Sequence, residues 1–135
     1  MSYLLDTNSV VDHLRRGASS NVTARIAAAA PGSVHLCSVV LAELLYGAYH
    51  GGAAHLALNL ALVEQVRRDF TSLPFDDRCA EEYGRLRAQL ATAGTMIGPN
   101  DLMIASIALA NQLTLVTHNT AEFSRVAGLT IEDWQ

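Results

Sequence analysis

A chain of 135 residues, half of them apolar and 16 % charged, can close a full hydrophobic core unaided, which excludes a disordered chain and a small stapled scaffold. The net charge is −4 and the nine basic residues are all arginine, which excludes a P-loop, a Schiff-base lysine and a broad phosphate-gripping surface for duplex nucleic acid. Cys37 and Cys79 have neither metal-ligand spacing nor the density of a disulfide framework, and the opening MSYLLD is no secretion signal, so the cytoplasm, without membrane contact, is the expected compartment.

Tyr3 to Leu5 is a short apolar run that stops at Asp6-Thr7-Asn8, after which Val10, Val11 and Leu14 fall at helical spacing. Strand, turn and helix are predicted, the helix closing at Arg15-Arg16-Gly17. Ser19 or Ser20 is the expected cap of a second helix that runs through the alanines to Pro31-Gly32. Val34 to Cys37 reads as the second strand, with Ser38 capping the helix VVLAELLYGAYH. That helix stops at Gly51-Gly52, and a helical pattern from Ala53 to about Phe70 folds back on it as a hairpin. Leu73-Pro74-Phe75 predicts an edge strand, since proline cannot donate to a ladder. Asp76 caps a helix reaching Ala93, and Gly94 ends it. The loop GTMIGPN leads into the apolar helix DLMIASIALANQ, the buried strand LTLVT and a last short strand near Leu129 to Ile131.

Strands separated by helices need crossover connections, hence an α/β domain spanning residues 1–135, with a mainly parallel sheet of four to five strands between helical layers. Ligands of such sheets bind at the carboxyl ends of the strands. Asp6 follows the first strand directly, Glu43 lies on the helix leaving the second, and Asp101 begins the helix before LTLVT. Each has an ordinary explanation, Asp6 as a cap, Asp101 as a first-turn acid and Glu43 as a solvated charge. Glu43 nevertheless sits among apolar neighbours, where unpaired burial would cost several kcal/mol. Three carboxylates converging on one end of a sheet need a hard cation, and Mg²⁺ or Mn²⁺ prefers such oxygen ligands.

Other constellations are weaker. Ser38 lacks the G-x-S-x-G elbow of a hydrolase, and there is no D-x-D phosphatase motif. His50 and His55 stand about 140° apart around a helix, so they share no face as zinc ligands would. His118 reads as an exposed turn residue. Arg15-Arg16 and Arg67-Arg68 sit at helix ends, where dipole complementarity and phosphate contact are both open readings.

The segments YLLDTN, SVVLAELLYG, PFDDRCAEEYGRLRAQL, GTMIGPNDLMIAS and LTLVTHNTAEFSRVAGLTIEDW, in this order and spacing, resemble the PIN-domain family. More narrowly they resemble VapC, the ribonuclease toxins of type II toxin-antitoxin pairs. The resemblance implies a three-layer α/β/α domain and places metal-binding acids at Asp6, Glu43 and Asp101. Thr7, Ser38 and Thr117 would then support those carboxylates through their hydroxyls, and Arg15 and Arg16 would touch RNA. It also implies Mg²⁺- or Mn²⁺-dependent RNA hydrolysis, a small antitoxin seated in an apolar groove beside the acids, and a homodimer. Structured RNAs such as tRNA loops are the favoured substrate. Asn119 departs from the pattern, occupying a position that often carries a fourth acid, and Glu122 three residues on reads as a solvated turn residue. That departure leaves an alternative open, a nucleic-acid-binding module of the same fold with weak catalysis, acting through a partner.

Overall fold

The computed structural model describes residues 1–135. In chain order the elements are β1 (Tyr3–Leu5), α1 (Thr7–Arg16), a 3-10 turn (Gly17–Ser19), α2 (Asn21–Ala28), β2 (Val34–Cys37), α3 (Ser38–His50) and α4 (Leu56–Asp69). There follow β3 (Thr71–Leu73), α5 (Asp77–Ala93), α6 (Pro99–Ala110), β4 (Thr114–Val116), α7 (Thr120–Phe123) and β5 (Ile131–Glu132). The five strands form one sheet in the order β3-β2-β1-β4-β5, and every neighbouring pair is parallel.

Successive side chains of a strand point to opposite faces. Leu4 and Leu5 are both fully buried, as are Leu115 and Val116, so both faces of the central strands are covered and the sheet is the middle of three layers. The apolar helix α6 is enclosed on most sides, burying Leu102, Ile104, Ala105, Ile107 and Ala108. Its one buried hydroxyl, Ser106, donates to the Leu102 carbonyl at 2.6 Å. Cys37 and Cys79 are free thiols in the core, and burial pushes Cys37 up to about 11. No helix is long and apolar enough to cross a membrane.

Several boundaries fall where local chemistry overrides periodicity. Helix α2 ends at Ala28 rather than at Pro31-Gly32, with Ala29 already extended, because the residue before a proline is driven out of the helical region. Helix α4 begins at Leu56 rather than Ala53, after a turn in which Gly52 has φ +91°. The edge strand β3 is Thr71–Leu73, paired with His35, Leu36 and Cys37, and Pro74 ends it instead of sitting inside it. The last strand lies slightly later than expected, at Ile131–Glu132. Ser38 is the first residue of α3 and not its cap, since the cap position is Cys37 and no side chain bonds there. The Ser38 hydroxyl instead accepts the Phe75 N–H at 3.2 Å, the donor freed where β3 ends.

Register fixes where the functional ends meet. Leu5 pairs with Val116 of β4, and the Asp6 N–H continues this ladder to the Val116 carbonyl at 3.1 Å. Residues just after β1 and β4 therefore stand side by side at one edge of the sheet.

Candidate active site

The carboxyl ends of β1 and β4 open into a polar cavity of about 100 Å³ lined by Asp6, Thr7, Asn8, Glu43, Asp101, Asn119 and Phe123. The three acids singled out from sequence thus come together, from three different helices. Asp6 is the N-cap of α1, its Oδ1 accepting the Ser9 N–H at 2.9 Å, and it is only 5 % exposed. Capping and lining the cavity are compatible, because the cap uses one oxygen. Ser9 in turn donates to the Val116 carbonyl at 3.2 Å, tying the start of α1 to β4.

Glu43 is half-buried on α3. Its Oε1 accepts the Thr7 hydroxyl at 2.8 Å, so Thr7 supports a carboxylate as the resemblance implied. Thr117 acts one step away, accepting the Asn119 N–H at 3.0 Å and shaping the loop after β4. Ser38 bonds Phe75, and that role replaces the expected support of the acids.

Asp101 stands in the first turn of α6, behind Pro99. Burial raises its carboxyl to about 6, with added repulsion from Glu122, Glu43 and Asp6. Glu122 is the residue that sequence reasoning undervalued. It accepts the Gly98 N–H at 2.8 Å and the Asn119 amide at 2.7 Å, and those donors hold it below the usual carboxylate range. Glu122 and Asp101 share a hydrogen bond with the proton on Asp101. The amide at Asn119 therefore positions a carboxylate instead of being one. The spacing Asn119-x-x-Glu122 is that of a capping box, a readable sign that these side chains engage each other.

The acidic cluster suits a cation. Its donors are oxygens, no basic side chain lines the cavity, and the raised Asp101 shows that the negative charge is uncompensated. As placed, no three His, Cys, Asp or Glu side chains form a group that could hold an ion. Each acid is instead secured by its own donor around a space wide enough for several waters, which fits Mg²⁺, an ion that keeps much of its hydration shell.

Arg15 and Arg16 diverge. Arg15 lines an adjoining groove that also touches Thr7 and Glu43, whereas Arg16 turns back to Asp12 and the Ser19 carbonyl, both at 3.5 Å. His118 is exposed, and its Nδ1 lies 2.9 Å from Asp133.

A parallel five-stranded sandwich with carboxylates gathered after β1, on α3 and at the start of α6 defines a class. The model of the PIN domain matches residues 3–129, and the chain belongs to the PIN-domain family. Within it, the chain is 36 % identical to the tRNA(fMet)-specific endonuclease VapC of Salmonella typhimurium, over 99 % of this chain and 98 % of that protein. It is 35 % identical to ribonuclease VapC2 of Rickettsia felis at the same coverage. Among solved structures it superposes on a chain of the Rickettsia felis VapBC2 complex bound to promoter DNA with a TM-score of 0.92, at 33 % identity and full coverage of both chains. A chain of the DNA-bound VapBC of Salmonella typhimurium gives 0.90 at 35 % identity, covering 100 % of this chain and 99 % of that one.

Proposed function

We propose that this protein is a metal-dependent endoribonuclease, the toxin of a cytoplasmic type II toxin-antitoxin pair, acting on structured RNA of the tRNA class. The observation that carries this reading is the convergence of Asp6, Glu43 and Asp101 on one small polar cavity. Relatives named VapC ribonucleases that align over nearly the whole chain support it, as do neighbours solved as VapBC complexes, which favour a cognate antitoxin as partner. A homodimer is part of the same reading.

Asp6 and Asp101 would hold Mg²⁺ or Mn²⁺, with Glu122 completing the charge around Asp101. When bound, the ion supplies charge neutralisation at the scissile phosphate and a lowered pKa for a water molecule. Glu43, held at one oxygen by Thr7, keeps its other oxygen free to orient that water and take its proton. Attack by water leaves the ribose 2′-hydroxyl uninvolved, so the products carry a 5′-phosphate and a 3′-hydroxyl. Asn119 had left room for a weakly catalytic binding module, but Glu122 restores a fourth carboxylate beside Asp101, which favours catalysis.

The test is cleavage of end-labelled small RNA by antitoxin-free protein in Mg²⁺ or Mn²⁺, beside EDTA and Asp101→Asn controls. Discrete products lost in both controls are expected. Folded protein that binds RNA and leaves it intact, or products ending in a cyclic phosphate, would overturn the proposal.

A further inference from the structure

A second cavity, of about 200 Å³, adjoins the acidic one and shares Thr7 and Glu43 with it. Helix α1 lines it with Thr7, Val11, Leu14 and Arg15, positions i, i+4, i+7 and i+8, which lie on one helical face. Thr7 stands at the acidic end, and Arg15 lies about 12 Å further along the helix axis at 1.5 Å per residue. Apolar side chains of α3 and α4 form the opposite wall, interrupted by the Asn59 amide.

The charge arrangement is specific. Arg16, Arg25, Arg67, Arg78 and Arg85 all have carboxylate partners. Arg15 has none, although it borders a cluster of acids. A guanidinium left unpaired there suits an anionic group arriving with the ligand, and the bidentate fit of guanidinium to phosphate makes a backbone phosphate the natural one. Between that cation and the acids lie apolar walls and one amide, which match the two faces and the edge of an unstacked base. A cavity of about 200 Å³ falls below the range of about 300–1,000 Å³ that takes drug-sized molecules, and it suits a single planar ring system.

We propose that this groove is a nucleotide subsite of the RNA substrate, in which an unstacked base flanking the scissile bond enters the apolar cavity while Arg15 holds a neighbouring phosphate. The proposal rests on the ribonuclease reading and adds to it the element that positions the strand. Arg15 is a positioning residue, and Asn59 reads the edge of the inserted base.

Gly47 supplies a clean test. It lines the groove on α3, and a Cβ added there meets nothing within 4 Å. Gly47→Leu therefore fills the cavity without altering charge, and leucine favours the helix over glycine.

Binding of a fluorescein-labelled single-stranded RNA of mixed sequence, and of its abasic counterpart, is measured in EDTA for the parent, Gly47→Leu and Arg15→Gln. In parallel, metal-dependent cleavage of total tRNA is followed for the same proteins. The parent is expected to bind the base-bearing strand about tenfold more tightly than the abasic one, and Gly47→Leu to erase that difference. Arg15→Gln is expected to weaken both strands, to lower the slope of log K against log salt by about one, and to raise KM about tenfold while kcat changes less than twofold. Equal binding of the two strands by the parent, or an unchanged salt slope in Arg15→Gln, overturns the subsite. Gly47→Leu protein that binds RNA as the parent does, yet has lost a copurifying protein partner, assigns the groove to a protein segment and also overturns it. Base-dependent binding without any cleavage defeats the ribonuclease reading alone, and cleavage without base-dependent binding defeats the subsite alone.

Discussion

Replacing Asp101 by asparagine is expected to make the metal-free protein more stable at neutral pH, although it removes a residue of the candidate site. Burial and three neighbouring carboxylates raise the folded carboxyl from 3.8 to about 6. Unfolded chain releases that proton near the ordinary value, so between these pH values the folded state binds more protons, and stability falls as pH rises through the window and stays lowered above it. At 1.36 kcal/mol per pH unit the difference amounts to about 3 kcal/mol. Asp101 is only half-buried, so solvent screening reduces this to about 1.5 kcal/mol. For a domain of this size that corresponds to a melting-temperature shift of about 5 °C. Thermal unfolding in EDTA should therefore place Asp101→Asn level with the parent below pH 4 and about 5 °C above it at pH 7.5. Added Mg²⁺ should narrow the gap by stabilising the parent through binding. A gap of the same size at both pH values, or a variant less stable at pH 7.5, would show that the acids do not repel as described.

Thr7→Val deletes the 2.8 Å hydrogen bond to Glu43 and is expected to lower cleavage about tenfold while costing about 1 kcal/mol in urea unfolding, with Thr7→Ser retaining most activity. Glu122→Gln removes the strongest carboxylate neighbour of Asp101, so the acidic limb of the pH-rate profile should move to lower pH; an unmoved limb would separate Glu122 from the site. Cys37 and Cys79 have no exposed surface, and both thiols are raised by burial, so a thiol reagent should label neither until the protein unfolds. Ile104→Ala, in the middle of the enclosed helix α6, should destabilise by about 2–5 kcal/mol as judged by the denaturation midpoint.

The strands and helices were legible where a single local signal dominates, as with Tyr3–Leu5, the Asp76 cap and the Gly94 stop. Boundaries slipped where two signals compete. Pro74 looked like part of an edge strand, but the pairing partners of β3 are the preceding residues Thr71–Leu73. Ser38 illustrates a different limit. Its position after a strand and before a helix is that of a cap, yet a donor thirty-seven residues away in sequence claims its oxygen. Nothing local announces such a partner. The site was legible to the extent that acids at strand ends converge whenever the sheet is parallel. Glu122 escaped because its importance comes from Gly98 and Asp101, which sit across a turn of another element. Arg15 and Arg16 could not be told apart as adjacent letters; only the helix phase sends one to the groove and the other to Asp12.

The strand order β3-β2-β1-β4-β5 places the first strand made at the centre of the sheet, between β2 and a β4 that begins at Thr114. Until synthesis passes that point, β1 has one bare edge, and Asp6 has neither the Val116 carbonyl for its N–H nor Asp101 and Asn119 across the cavity. A shortened chain lacking β4 therefore offers an unpaired apolar strand, which is a template for aggregation, and carries an incomplete set of acids. Completion of the last fifth of the polypeptide acts as a built-in delay, so a growing chain carries no finished acidic centre while it is still being translated.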